Sequence, residues 1–207
     1  MKVLLINGSP HAKGCTNRAL EEIRDTLKEE GVDSEIIQVG NKDIRGCVSC
    51  GSCSRIGKCV FDDTVNETAE KLKEADGLVL ASPVYYASPN GTLLAFADRL
   101  FYSNHSDLRM KVGAAVVSAR RAGTTASFDV LNKYFSISQM PIVSSRYWNM
   151  VHGFTAEDVE KDKEGLQTMR ILARNMAFMI KAIRAAKESI GLPENEGGAF
   201  TSFCDGL

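Results

Sequence analysis

Apolar residues in this chain fall into short unbroken runs separated by stretches of helical spacing. Lys2–Asn7 carries Val3, Leu4, Leu5 and Ile6 without interruption. A run apolar on both faces predicts a parallel strand covered on each side. The same pattern predicts strands over Ser34–Val39, Gly77–Ser82 and Lys111–Ser118, and a short fifth over Pro141–Ser144. Between these runs the period lengthens. Ala19, Leu20, Ile23 and Leu27 share one face of a helix that ends near Gly31. Val65, Ala69 and Leu72 line a helix opened by Thr64, with Glu67 completing a capping box. Ser88 and Pro89 read as the N-cap and first-turn proline of a helix through Leu93, Leu94, Phe96, Ala97 and Leu100. Another helix leaves the polar loop 119–125 and runs to about Phe135. Thr155–Asp158 opens a long final helix, whose stripe of Leu172, Met176, Met179, Ile180 and Ile183 serves as core or as a subunit contact. Strands alternating with helices predict an α/β fold with a parallel sheet. One domain spans 1–207, with a cysteine-rich insertion at 45–63 and a helical arm at about 155–190. The tail after Gly191 is glycine-rich at Gly197 and Gly198 and reads as loosely ordered.

In open parallel sheets the ligand sits beyond the strand C-termini, where the strand order reverses. Three loops are predicted there: 8–17, 83–91 and 119–125. The first joins a strand to a helix through Gly8-Ser9-Pro10, an arrangement that seats a phosphate on the helix N-terminus. Ser9, Thr16 and Asn17 add short donors, although Thr16 also suits a simple helix cap. The loop has neither the Walker A pattern nor G-x-G-x-x-G. The second, with Pro83, Val84, Tyr85 and Tyr86, offers an apolar, partly wet wall for a planar ring, or else ordinary edge tyrosines. The third carries Arg120 and Arg121, which suit a phosphate. Together the three describe a site for a phosphate-bearing planar cofactor. Trp148 packs on that site or pins its own loop, and His152 reads as a hydrogen-bonded surface histidine.

A second chemistry lies between them. Cys47, Cys50, Cys53 and Cys59, four of the six cysteines, stand as C-x2-C-x2-C-x5-C. Four soft thiolates within reach of one point suit an iron–sulfur cluster or zinc; the alternative is thiols that bind nothing. Gly46, Gly51 and Gly57 allow the loop to curl. The net charge of −1 points to no nucleic-acid or membrane surface. The longest apolar runs are strand-sized, and the first residues lack a signal peptide's apolar region, so a cytoplasmic location is expected. In a reducing compartment, clustered cysteines favour metal or redox chemistry over disulfides.

INGSPHAKGCTN at 6–17, SPVYYASPNG at 82–91 and the YWNMVHG segment resemble the NADPH-dependent FMN reductase branch of the flavodoxin-like superfamily. CVSCGSCSRIGKC, followed by Asp62-Asp63, resembles the iron–sulfur flavoproteins of anaerobic microbes. The resemblance covers roughly residues 1–185. It implies a flavodoxin-like three-layer sandwich, a five-stranded parallel sheet with helices on both faces. It implies that Ser9, Thr16 and Asn17 hold the FMN phosphate, with Cys15 contributing backbone. Pro83, Val84, Tyr85 and Tyr86 would line the isoalloxazine, supported by Asn90, and Ser118, Ala119, Arg120 and Gly123 would form the third side. Cys47, Cys50, Cys53 and Cys59 match ligands of a [4Fe-4S] cluster. Many FMN reductases have an arginine in the first loop; here Lys13 and His11 stand there.

The implied activity is electron transfer between cluster and FMN, with a ferredoxin-like donor or NAD(P)H, small acceptors such as oxygen species or quinones, and a homodimer or dimer of dimers. No side chain is assigned as general acid or base, since the cofactors carry the chemistry. The alternatives are an NAD(P)H-dependent FMN or quinone reductase without a cluster, a non-enzymatic flavin redox sensor, and a zinc-binding interaction module.

Overall fold

A computed structural model describes residues 1–199; Cys204 and the end of the tail lie outside the described residues. Five parallel strands form the sheet: β1 (Lys2–Asn7), β2 (Asp33–Gln38), β3 (Gly77–Tyr85), β5 (Val112–Ala119) and β6 (Met150–His152), in the order β2-β1-β3-β5-β6. A two-residue strand, β4 (Ser88–Pro89), folds back antiparallel on the end of β3. Strand alternation divides the core in two. Val3, Leu5, Val79, Ala81, Val112, Ala114 and Val116 face one side, where they pack under α1 (Cys15–Glu29) and α7 (Lys163–Ser189). Leu4, Ile6, Leu78, Leu80, Ala115 and Val117 face the other, under α3 (Thr64–Glu74), α4 (Gly91–Ser103) and α5 (Thr124–Ile137). The result is the helix–sheet–helix sandwich expected. Gly113 makes the second layer close: a Cβ there would stand 2.5 Å from the Phe135 ring.

Several local expectations are corrected. The fifth strand is Met150–His152, pairing with Val117–Ala119, whereas the Pro141–Ser144 stretch makes a single bridge between Ile142 and Gly113. Ser88 and Pro89 do not open α4; they form β4, and Asn90 is the N-cap, its side chain accepting from the Thr92 N–H. Asp63, not Thr64, caps α3 by accepting from the Val65 N–H. Thr16 does not cap α1, because Gly14 occupies that position. The final region is two helices, α6 (Ala156–Val159), opened by a Thr155–Asp158 capping box, and α7. Leu172, Met176 and Ile180 are buried core, with Met179 and Ile183 packed at its margin. Ion pairs from Arg170 to Glu22 and from Arg174 and Lys181 to Glu30 tie α7 along α1. Among the described residues no helix is long and apolar enough to cross a membrane.

Candidate active site

β2 lies on one side of β1 and β3 on the other, so the chain leaves the C-terminal ends of β1 and β3 in opposite directions and opens a crevice between their loops. The loop after β1 is tightly held. The Asn7 carboxamide oxygen accepts from the Ser9 N–H at 3.0 Å, and the Ser9 hydroxyl accepts from the His11 N–H at 3.2 Å. Gly40, just past β2, passes so close that a Cβ there would lie 2.2 Å from the Gly8 carbonyl oxygen. The Asn90 amide donates to that same carbonyl at 2.7 Å, while the Asn90 N–H donates to the Ser82 hydroxyl at 2.9 Å. α1 starts in this crevice. No side chain caps it and its first turn holds no acid, so its N-terminal N–H groups and dipole are open to an anion.

The side chains around this start are buried. The Thr16 and Ser118 hydroxyls share a 2.8 Å hydrogen bond, which ties the first loop to the end of β5. The Asn17 side-chain oxygen accepts weakly from Asn7 at 3.5 Å. The Cys15 thiol points away to the Gly153 carbonyl at 3.4 Å, and burial pushes its pKa up. Across the crevice Pro83 and Val84 are half-buried, whereas Tyr85 and Tyr86 are exposed, Tyr86 completely and at φ +46°. Ala119 is buried and Arg120 is exposed, its guanidinium 5.8 Å from the Phe154 ring centre. Gly123 adopts φ +89°, which a glycine tolerates and which seats the loop against Val84. Val84, Tyr86 and residues 119–122 line an open cleft of about 510 Å³. All three loops predicted from sequence therefore meet at one end of the sheet. Trp148 packs on Tyr147 at a ring separation of 5.0 Å, and the His152 N–H donates to Asp162 at 2.7 Å. Another cleft, of about 760 Å³, lies at the opposite end of the sheet, around Lys2, Asp76 and Lys111.

The cysteine loop leaves β2 and returns at α3, with one short helix, α2 (Cys53–Ile56), inside it. Cys47, Cys50, Cys53 and Cys59 line one cleft, walled by Val48, Val60, Phe61 and Tyr102. Cys47 and Cys50 are exposed; Cys53 and Cys59 are half-buried. Among the described residues no three metal-ligating side chains converge to ligation distance. Hydrogen bonding from Ser52 lowers the Cys50 pKa.

Two side chains unnoticed in the sequence hold this loop. Asn66 on α3 accepts from the Cys59 N–H at 3.0 Å and donates to the Cys59 and Phe61 carbonyls at 3.0 and 3.1 Å. Arg99 on α4 is 1% exposed and makes a bidentate pair with Asp63 at 2.6 and 2.9 Å. Arg99 also donates to the Arg45 and Phe61 carbonyls, at 3.2 and 3.1 Å, and from Nε to the Cys59 sulfur at 3.2 Å. The available signal was an arginine, next to Asp98, inside the mostly apolar stretch LLAFADRLF.

Known proteins agree with this architecture. The chain matches the NADPH-dependent FMN reductase family over residues 1–155. It is 33% identical over 192 residues to an iron–sulfur flavoprotein of Methanocaldococcus jannaschii, covering 89% of this chain and 100% of that one. It is 28% identical over 192 residues to the iron–sulfur flavoprotein of Methanosarcina thermophila, covering 91% and 100%. An archaeal flavodoxin superposes with a TM-score of 0.60 at 18% identity, covering 87% of this chain and 99% of that one, which supports the flavodoxin-like fold. The chain belongs to the NADPH-dependent FMN reductase family and, within it, to the iron–sulfur flavoprotein group, and is a flavin-dependent oxidoreductase.

Proposed function

We propose that this protein passes electrons between FMN, seated in the crevice beyond β1, β3 and β5, and a [4Fe-4S] cluster held by Cys47, Cys50, Cys53 and Cys59, and so reduces small oxidants. The observation that carries this reading is that α4 serves both sites. Asn90 at its start bonds the first crevice loop, and Arg99 farther along bonds Cys59. The helix between them rises roughly 13 Å.

The crevice residues fit a phosphate-bearing planar cofactor, because an uncapped helix start, buried hydroxyls and an exposed tyrosine pair surround one space. The cysteine loop fits a cluster in donor type, with four thiols around one apolar-walled cleft. Bound FMN supplies one- and two-electron chemistry and a bound cluster supplies single electrons, while the protein contributes position and electrostatics. Ser9, Thr16, Asn17 and the first N–H groups of α1 bind the phosphate, and Cys15 contributes its backbone. Pro83, Val84, Tyr85 and Tyr86 line the ring, and Asn90 steadies the loops beneath it. Ser118, Ala119, Arg120 and Gly123 close the third side. A ferredoxin-like donor and a homodimer or dimer of dimers belong to this reading, as the similarity to iron–sulfur flavoproteins suggests.

A second reading, an NAD(P)H-dependent FMN or quinone reductase without a cluster, is favoured by the NADPH dependence in the family's description. Iron and acid-labile sulfide per chain, measured on protein purified without air, separate the two. About four of each per chain, together with bound FMN, is the expected result. Neither iron nor sulfide after anaerobic reconstitution, with rapid steady turnover of NAD(P)H, would establish the second.

A further inference from the structure

Arg99 presents an unusual distribution of hydrogen bonds for a structural staple. A buried guanidinium is tolerated only when its charge is paired and its donors are used. Its two terminal nitrogens satisfy that need, with both Asp63 oxygens and the Arg45 and Phe61 carbonyls as acceptors. Those four bonds also clamp both ends of the cysteine loop to α4, where the Arg45 and Arg99 guanidinium carbons stand 5.3 and 5.1 Å from the Phe61 ring centre. They account for the fold. The fifth donor, Nε, points instead at the Cys59 sulfur at 3.2 Å. A neutral thiol is a poor acceptor, whereas a thiolate forms a charge-assisted bond with a guanidinium.

We propose that Arg99 is a positioning residue that sets the reduction potential of the centre ligated by Cys59, with Asp63 as its counterweight. The inference rests on the cluster assignment above. A reduced cluster carries one more negative charge than its oxidised form, and hydrogen bonds and net charge near the ligand sulfurs set its potential. A cation donating to Cys59 favours the reduced form and raises the potential. The Asp63 carboxylate, on the far side of the same guanidinium, offsets part of that effect.

The two residues therefore have opposite signs, which a purely structural clamp would not give. The test is an anaerobic potentiometric titration followed by electron paramagnetic resonance, on holoprotein with iron and FMN counted per chain. Arg99→Gln is expected to keep FMN and shift the cluster's midpoint potential downward, and Arg99→Lys to recover part of the shift. Asp63→Asn keeps a competent cap for α3 and is expected to shift the potential upward. Shifts of the same sign in Arg99→Gln and Asp63→Asn, or no shift in either, overturn the inference while leaving the cluster in place. Where Arg99→Gln loses its iron, Asp63→Asn decides alone: an upward shift supports the inference, and a downward or absent one overturns it. A wild-type chain that takes up no iron on reconstitution overturns the cluster assignment itself, and this inference with it.

Discussion

The two ends of α4 are built on opposite plans. At its start, the crevice is assembled by the sheet: Ser9, Thr16, Asn90 and Ser118 are each 5% exposed or less and are already hydrogen-bonded. Farther along, the cysteine loop stands outside the sheet, with Cys47 and Cys50 exposed and Arg99 and Asn66 as its chief tethers. The first site is preorganised and needs its ligand for chemistry alone. The second is anchored at its ends and open in its middle, so the cluster we propose there would complete the structure as well as supply the chemistry. Metal ligation of that kind couples binding to local folding.

The largest effects are expected where one plan fails and the other is untouched. Cys50→Ala should reduce iron from about four per chain to near none while FMN stays bound, measured by metal analysis and flavin absorbance on the same sample. Unchanged iron would remove Cys50 from the ligand set. Gly40→Ala is the mirror experiment. A methyl group there meets the Gly8 carbonyl and the Ser9 backbone at 2.2–2.3 Å, and backbone cannot rotate away. Overpacking of this kind costs about 1–3 kcal/mol, so FMN affinity should fall roughly ten- to a hundredfold with iron retained. Equal loss of both groups in either variant would mean that the sites are one cooperative unit.

A smaller effect falls on the helix that joins them. Asn90→Ala removes the cap of α4 and leaves the Gly8 carbonyl without its donor. Loss of such a cap typically costs about 1 kcal/mol, and an orphaned buried acceptor costs about 1–3 more. For a chain of this size, the melting temperature should drop by roughly 4–16 °C. A melting temperature unchanged within error would show that α4 does not depend on its crevice end.

The same contrast explains what the sequence disclosed. β1, β3 and β5 were legible because burial on both faces leaves continuous apolar runs, as in Val3–Ile6 and Val112–Val117. β6 was not, because three residues are too few to show a period and its pairing depends on β5 at a distance. Ile142 and Val143 carry the apolar signal of a strand but reach the sheet only through one bridge. The tyrosine loop misled because Ser-Pro before an apolar helix has the residues of a cap, while the turn at Tyr86 folds Ser88 back onto Tyr85. The cysteine quartet was legible as donors, since spacing alone announces it. Arg99 was not, because its partners Cys59 and Asp63 lie 40 and 36 positions away, and no local pattern records such a pairing.

The smallest expected effect compares one thiol from each region on the iron-free chain. Cys15 opens α1 beside the crevice with its thiol turned to the Gly153 carbonyl, where burial raises its pKa above the usual thiol value. Cys50 sits in the open loop, where hydrogen bonds from Ser52 lower its pKa. The thiolate is the reactive form, so the fraction available at a given pH follows these shifts. As pH rises from 6 to 9 in alkylation by iodoacetamide, Cys50 should reach half its maximal rate first. Cys15 should lag on two counts, a smaller thiolate fraction and restricted access. Mass spectrometry of the labelled peptides at neutral pH should show Cys50 modified faster than Cys15. Ser52→Ala should move the Cys50 profile toward higher pH and leave the Cys15 profile in place. Equal rates for the two thiols would mean that the iron-free loop is as closed as the crevice, and the contrast between a preorganised site and a ligand-completed one would not hold.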